Sequence, residues 1–160
     1  MDKHADKKLR EQLVKHLKGG EAFMTVDEAV NKIEYQQLGS VPNGLPYSFY
    51  QLFYHMRLAQ HDIIQFSQDP EYESPKWPEG YWPQEKAPQS PEAWQQLKED
   101  YFRERDEFCQ YLLNPANDLF EPFSFGSGQT LLREAMLIIE HNAYHNGQLL
   151  VVLRLLGLHG

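Results

Sequence analysis

"QTLLREAMLIIEHNAYHNGQLLVVLRLLG", Gln129 to Gly157, sets how the rest of the chain is read. Its apolar residues recur at helical spacing with no proline to interrupt them, which predicts one helix from about Gln129 to Leu156, stopped by Gly157. At 1.5 Å per residue it is roughly 40 Å long. Two histidines, His141 and His145, stand four positions apart inside it. Positions four apart differ by about 40° round a helix and lie one turn above each other. Glu134, Ile138, Gln148 and Val152 continue the same face, flanked by Leu137, Tyr144 and Leu155. Two imidazoles therefore sit in a stripe that otherwise enters a core.

Working outward, the sequence predicts three more long helices and no strand. The first runs from about Lys3 to Lys18, with Leu9, Leu13 and Leu17 in one line and Gly19-Gly20 ending it. Thr25 with Glu28 three residues on is a capping box and opens a short helix carrying Ala29, Val30 and Ile33. The second long helix starts near Pro46 to Ser48 and ends near Ser67, with Phe49, Leu52, Phe53, Met56, Ala59, Ile63 and Phe66 on its core side. The third starts at Ser90-Pro91, an N-cap followed by proline at the first helical position, and stops at Asn114-Pro115. Trp94, Leu97, Tyr101, Phe108 and Leu112 mark its buried stripe.

Between the second and third helices lies "DPEYESPKWPEGYWPQEKAPQS", Asp69 to Ser90. Its five prolines forbid a continuous helix. An extended chain covers up to about 3.3–3.6 Å per residue, so this segment spans a bundle end to end and lets the flanking helices run parallel. Tyr72, Trp77, Tyr81 and Trp82 make it a packed crossover rather than a loose linker, and the simpler expectation for Trp77 and Trp82 is a cover over one end of the core. The expected architecture is all-α: a four-helix bundle with one long crossover, a single domain over 1–160.

Composition narrows the function classes. The 160 residues carry a formal charge of −8 and a pI near 5.3, and an acidic surface repels phosphate backbones, so nucleic acid is not an expected partner. No run approaches the roughly 18 apolar residues of a membrane span, and the charged opening "MDKHADKKLREQ" has no apolar core of a signal peptide. One cysteine, Cys109, excludes an intrachain disulfide and fits a cytoplasmic setting; beside Phe108 it is expected to be a buried, inert thiol.

Burying two imidazoles side by side is costly unless their nitrogens find partners, and a metal ion is an efficient partner. Zinc sites of catalytic type use three protein ligands and leave a position for water. A third ligand has to come from another helix. His55 lies in line with Leu52, Leu58, Ala59 and Asp62 on the apolar side of the second helix, whereas His61 falls with Tyr54, Arg57 and Gln65 on a wetter face. His55 is the expected third ligand. Two further readings stay open at this level: a closed site completed by His61, Asp62 or Glu134, and metal-free histidines hydrogen-bonded in the core. Spelling excludes other centres. Asn142 stands where the H-E-x-x-H motif needs glutamate, no histidine of the long helices has the Glu-x-x-His spacing of di-iron bundles, and "GSGQT" at Gly126 lacks the lysine of a phosphate loop.

"HNAYHNGQLLVVLRLLG" resembles the closing helix of the DinB superfamily, a set of bacterial metal-binding four-helix bundles. "YSFYQLFYHMRLAQHDIIQF" resembles its second helix, whose histidine falls on His55, with Arg57, Ala59 and Gln60 after it. "WPEGYWP", Trp77 to Pro83, is similar to a segment in one branch of the family. The resemblance implies an up-down-down-up bundle, often dimeric, with a divalent metal, zinc or nickel, held by His55, His141 and His145 and with open positions. It implies one of several activities: thiol S-transfer using bacillithiol, mycothiol or glutathione, maleylpyruvate isomerisation, a related hydrolysis, or no known reaction. On the helix surface Tyr144 is expected chiefly to pack, with the edge of the site as its alternative place, and Gln148 is placed to orient a ligand or substrate. The alternative is a non-catalytic metal-binding bundle serving a stress response or a partner protein. Fold and metal do not fix the chemistry.

Overall fold

Short polar side chains open each helix. In the computed structural model, which describes residues 2–160, the elements are α1 (Lys3–Lys18), α2 (Val26–Val30), α3 (Phe49–Gln68), α4 (Pro91–Leu113) and α5 (Leu131–Leu155). The hydroxyls of Thr25, Ser48, Ser90 and Thr130 each accept a bond from the backbone N–H three residues on, satisfying a donor that a helix start leaves unpaired. Thr25–Glu28 and Ser48–Gln51 are complete capping boxes. Gly19 ends α1 at φ +78°, a conformation that favours glycine. Among the described residues there is no strand, only an isolated antiparallel bridge between Pro122 and Thr130.

The long helices pack in a ring: α1 against α4 and α5, and α3 against α4 and α5. Residue numbers on α3 and α4 rise together along their contact. Phe53 meets Trp94 with ring centroids 5.2 Å apart, Gln60 Nε2 donates to the Tyr101 carbonyl, and Arg57 and His61 reach Glu104. The crossover makes this possible by returning to the start of α3, where Ser48 Oγ donates to the Lys86 carbonyl and Gln51 Nε2 to that of Pro83. It holds one 3₁₀ turn, Glu79–Tyr81. On α3 the buried apolar residue near the end is Ile64, while Ile63 and Phe66 of the expected stripe are only half-buried; Phe66 meets Phe123 and Phe125 of the loop before α5 instead.

The core is divided. One apolar cluster gathers Phe49, Phe53, Met56, Trp94, Tyr101 and Val152; the other gathers Leu13, Leu17, Ile64, Phe108, Leu112 and Ile138. Between them, α3 and α5 carry buried polar residues: His55 and Gln60 on α3, Asn142, His145 and Asn146 on α5. Buried polar groups destabilise a fold unless they are paired, so this layer is where function is to be sought. No helix among the described residues is long and apolar enough to cross a membrane.

Candidate metal centre

His55, His141 and His145 meet in that layer. His55 Nε2 lies 3.1 Å from His141 Nε2 and 3.2 Å from His145 Nε2. His55 and His145 are buried at 2% and 7% exposure, and His141 is half-buried. Three ring nitrogens, all within 4.8 Å of one another, could hold a metal ion.

The outer nitrogens decide what the inner ones can do. His55 Nδ1 lies 3.1 Å from the Tyr81 carbonyl, which only accepts, so that nitrogen carries the proton. His145 Nδ1 lies 2.6 Å from Gln148 Oε1, which again accepts. In neutral rings both Nε2 atoms then present lone pairs to each other at 3.2 Å with no proton between them. That contact is unfavourable by itself and becomes favourable around a cation. Zinc–nitrogen bonds of 2.0–2.1 Å in tetrahedral geometry place ligand nitrogens roughly 3.3 Å apart, so the donor set fits a divalent metal. Carbonyl and amide partners on the far nitrogens are the usual means of orienting metal-binding histidines.

Protonation agrees. Burial pulls His55 from its ordinary 6.5 to about 4, with the Tyr81 carbonyl opposing it only in part. Burial, then the charges of His145 and His55, bring His141 to about 4. Burial also lowers His145, against the pull of Gln148. All three imidazoles are neutral at pH 7, the form that binds metals.

The other residues singled out in the sequence go elsewhere. His61 Nδ1 is 3.1 Å from Glu104 Oε1, Asp62 accepts from the Tyr81 hydroxyl at 2.6 Å, and Glu134 pairs with Arg133 at 2.7 Å. None of these three joins the cluster. Gln148 lies beside the cluster, its Oε1 bonded to His145. Tyr144 is 65% exposed, its ring 4.8 Å from that of His145, so it borders the cluster instead of packing inside. Cys109 is buried, and burial pushes its thiol pKa up.

The crossover departs from the simpler expectation of a plain cover. Trp82 lies flat on His55, with centroids 4.1 Å apart and planes 2° apart, and Tyr47 stacks on Trp82 in turn. Trp77 is 67% exposed, its ring set edge-to-face with that of Tyr81 at 5.2 Å. Tyr81 was the residue sequence reasoning missed: its carbonyl fixes His55 while its hydroxyl anchors the turn to Asp62. The aromatic spelling of "WPEGYWP" was the available signal. A hollow of about 300 Å³ opens beside Trp82, lined by Pro46, Tyr47 and Gln51.

No curated protein and no solved structure matches the chain. A family model does, over residues 4–159, nearly its whole length, and the chain therefore belongs to the DinB family.

Proposed function

We propose that the protein holds a divalent metal, zinc or nickel, through His55, His141 and His145, and uses it for S-transfer between a low-molecular-weight thiol and a small apolar electrophile. The observation that carries this is the convergence of three Nε2 atoms, two of them on rings whose Nδ1 protons are committed elsewhere. No fourth acidic, histidine or cysteine side chain joins the group among the described residues, which favours an open site over a closed structural one. When bound, a divalent cation supplies Lewis acidity that lowers the pKa of a thiol or water beside it.

The chain's own residues do the rest. The Tyr81 carbonyl and Gln148 hold two rings in the ligating tautomer. Trp82 and Tyr47 form an apolar wall that shields His55 from water and gives an electrophile a flat surface. The exposed Tyr144 hydroxyl stands at the rim, available to donate to a leaving group. The contacts between helices support an up-down-down-up order, since α3 and α4 run in the same sense while α5 runs against α3: Phe49 and Phe53 cluster with Leu149 and Val152, and Ile64 with Leu131 and Ile138.

The test has two stages. Metal is first quantified in protein purified without chelator or nickel resin. The loaded protein is then given a fluorogenic electrophile with bacillithiol, glutathione or coenzyme A. Thiol-dependent turnover that disappears on chelation and returns with metal is expected. A stoichiometric metal with no turnover for any thiol leaves the non-catalytic bundle as the reading.

A homodimer through α5 belongs to the same proposal. Met136, Tyr144, Val151 and Leu155 share one exposed face of that helix, and a side chain added at Gly147 in the same face would meet nothing within 4 Å. Sedimentation equilibrium is expected to return a dimer that Val151→Glu dissociates; a monomeric parent protein ends this part.

A further inference from the structure

Tyr81 is gripped twice by α3. Its carbonyl accepts from His55 Nδ1 at 3.1 Å, and its hydroxyl donates to Asp62 Oδ2 at 2.6 Å. His55 and Asp62 are seven positions apart, about 20° short of two full turns and about 10.5 Å along the axis. They therefore share one face of α3, and a single tyrosine bridges them from its carbonyl to its phenolic oxygen. The bridge is buried, with Tyr81 at 7% exposure. A phenol donating to a carboxylate at this length makes a charge-assisted bond, roughly twice as strong as a neutral one. Burial, then the bond to Asp62, raises the Tyr81 pKa; burial, then the Asp62 charge, pushes that of Tyr72 up to about 12. Both phenols thus meet Asp62 as neutral donors at pH 7.

Proline-rich chain has no regular ladder to hold it. The Glu79–Tyr81 turn closes on itself, Gly80 N–H donating to the Lys76 carbonyl and Tyr81 N–H to that of Pro78, and neither bond ties it to a helix. Its hydrogen bonds to α3 are those with His55 and Asp62. Without the second, the carbonyl is free to leave His55 Nδ1. A neutral imidazole that loses this acceptor redistributes its proton between its two nitrogens, and a proton on Nε2 covers the lone pair that faces His141 and His145. We propose that Asp62 is a positioning residue for the histidine cluster: by holding the Tyr81 hydroxyl it keeps the Tyr81 carbonyl on Nδ1 of His55 and the His55 lone pair on Nε2. Trp82, the next residue, is set on the His55 ring by the same turn. The consequence for metal affinity rests on the reading of His55 as a ligand; the consequence for its tautomer does not.

Two readouts test this. Long-range ¹H–¹⁵N spectra of the metal-free chain at neutral pH show which ring nitrogen of His55 carries the proton, and competition with a chromophoric chelator gives zinc affinity. The parent is expected to hold the proton on Nδ1. Tyr81→Phe and Asp62→Ala should each give a mixture of tautomers and about tenfold weaker zinc binding. The double variant should be no worse than either single one, because the two groups act as a unit. Asp62→Asn, whose amide oxygen still accepts from the hydroxyl, should restore both readouts, and Tyr72→Phe should leave both unchanged. A general loosening would lower the urea midpoint without moving the His55 proton. If Asp62→Ala fails to fold, Tyr81→Phe, which deletes one oxygen, decides. A parent that takes up no zinc ends the metal reading, and the tautomer still decides this one. A His55 proton that stays on Nδ1 in Tyr81→Phe, or losses that add in the double variant, would overturn the proposal.

Discussion

Replacing His145 with alanine is expected to abolish stoichiometric metal binding while leaving the helical fold intact. His145 is one of three nitrogen donors, and a pair of neutral imidazoles competes poorly with water and buffer. Affinity should fall by well over the 10–100-fold that losing an outer partner produces, on the order of a thousandfold. His55→Ala and His141→Ala should do the same. Gln148→Leu should fall between, at about 10–100-fold, because the amide that fixes the His145 tautomer is lost while the donor remains. His61→Ala, which touches Glu104 and not the cluster, should bind as the parent does. Elemental analysis after dialysis, with circular dichroism to check the fold, orders the series. A folded His145→Ala protein with a full complement of metal would sink the site.

Arg10→Met is expected to be the most destabilising change outside the core, at about 3 kcal/mol, or a fall in Tm of about 6–12 °C. Its side chain is 5% exposed, and the guanidinium reaches across to the end of α4. Nη1 donates to the carbonyls of Leu112 at 2.6 Å and Asn114 at 3.2 Å, Nη2 to that of Asn117 at 2.9 Å, and Nε to Asp6 at 2.8 Å. The Leu112 and Asn114 carbonyls are ones the end of α4 leaves unpaired, Asn117 belongs to the loop beyond, and a cation there also complements the helix dipole. Methionine keeps most of the volume and removes every donor. Lys7→Ala is the contrast: its pair with Glu11 is 3.8 Å long between well-exposed side chains, so the loss should be within about 0.5 kcal/mol. Equal urea midpoints for the two variants would refute the account of Arg10.

Arg10 also marks where the sequence stops being legible. Leu13 and Leu17 read as a buried line because their spacing is local, and both are buried. Arg10, one turn before Leu13, looks in sequence like any surface charge, since its carbonyl partners lie 102 to 107 residues away. The same division runs through the histidine cluster. His141 and His145 were readable from their spacing, and His55 from the apolar line of its helix. Gln148 follows from one more turn. The Tyr81 carbonyl was not readable, because backbone acceptors have no spelling, and neither was the choice of Trp82 over Trp77, because proline-rich chain has no period to say which ring turns inward. The capping box at Thr25 and the N-cap at Ser90 were legible because a cap acts over three residues.

The reach of the histidine cluster has a consequence for folding. His55 is separated from His141 by 86 positions and from His145 by 90. A cation shared among them is a reversible cross-link closing a loop of that size, in a chain whose lone cysteine excludes an intrachain disulfide. By chain-entropy reasoning a permanent link over such a loop is worth about 4–5 kcal/mol. A metal link differs in being adjustable: its contribution grows with the logarithm of the free ion concentration. The lifetime of the folded chain would then track how much metal surrounds it.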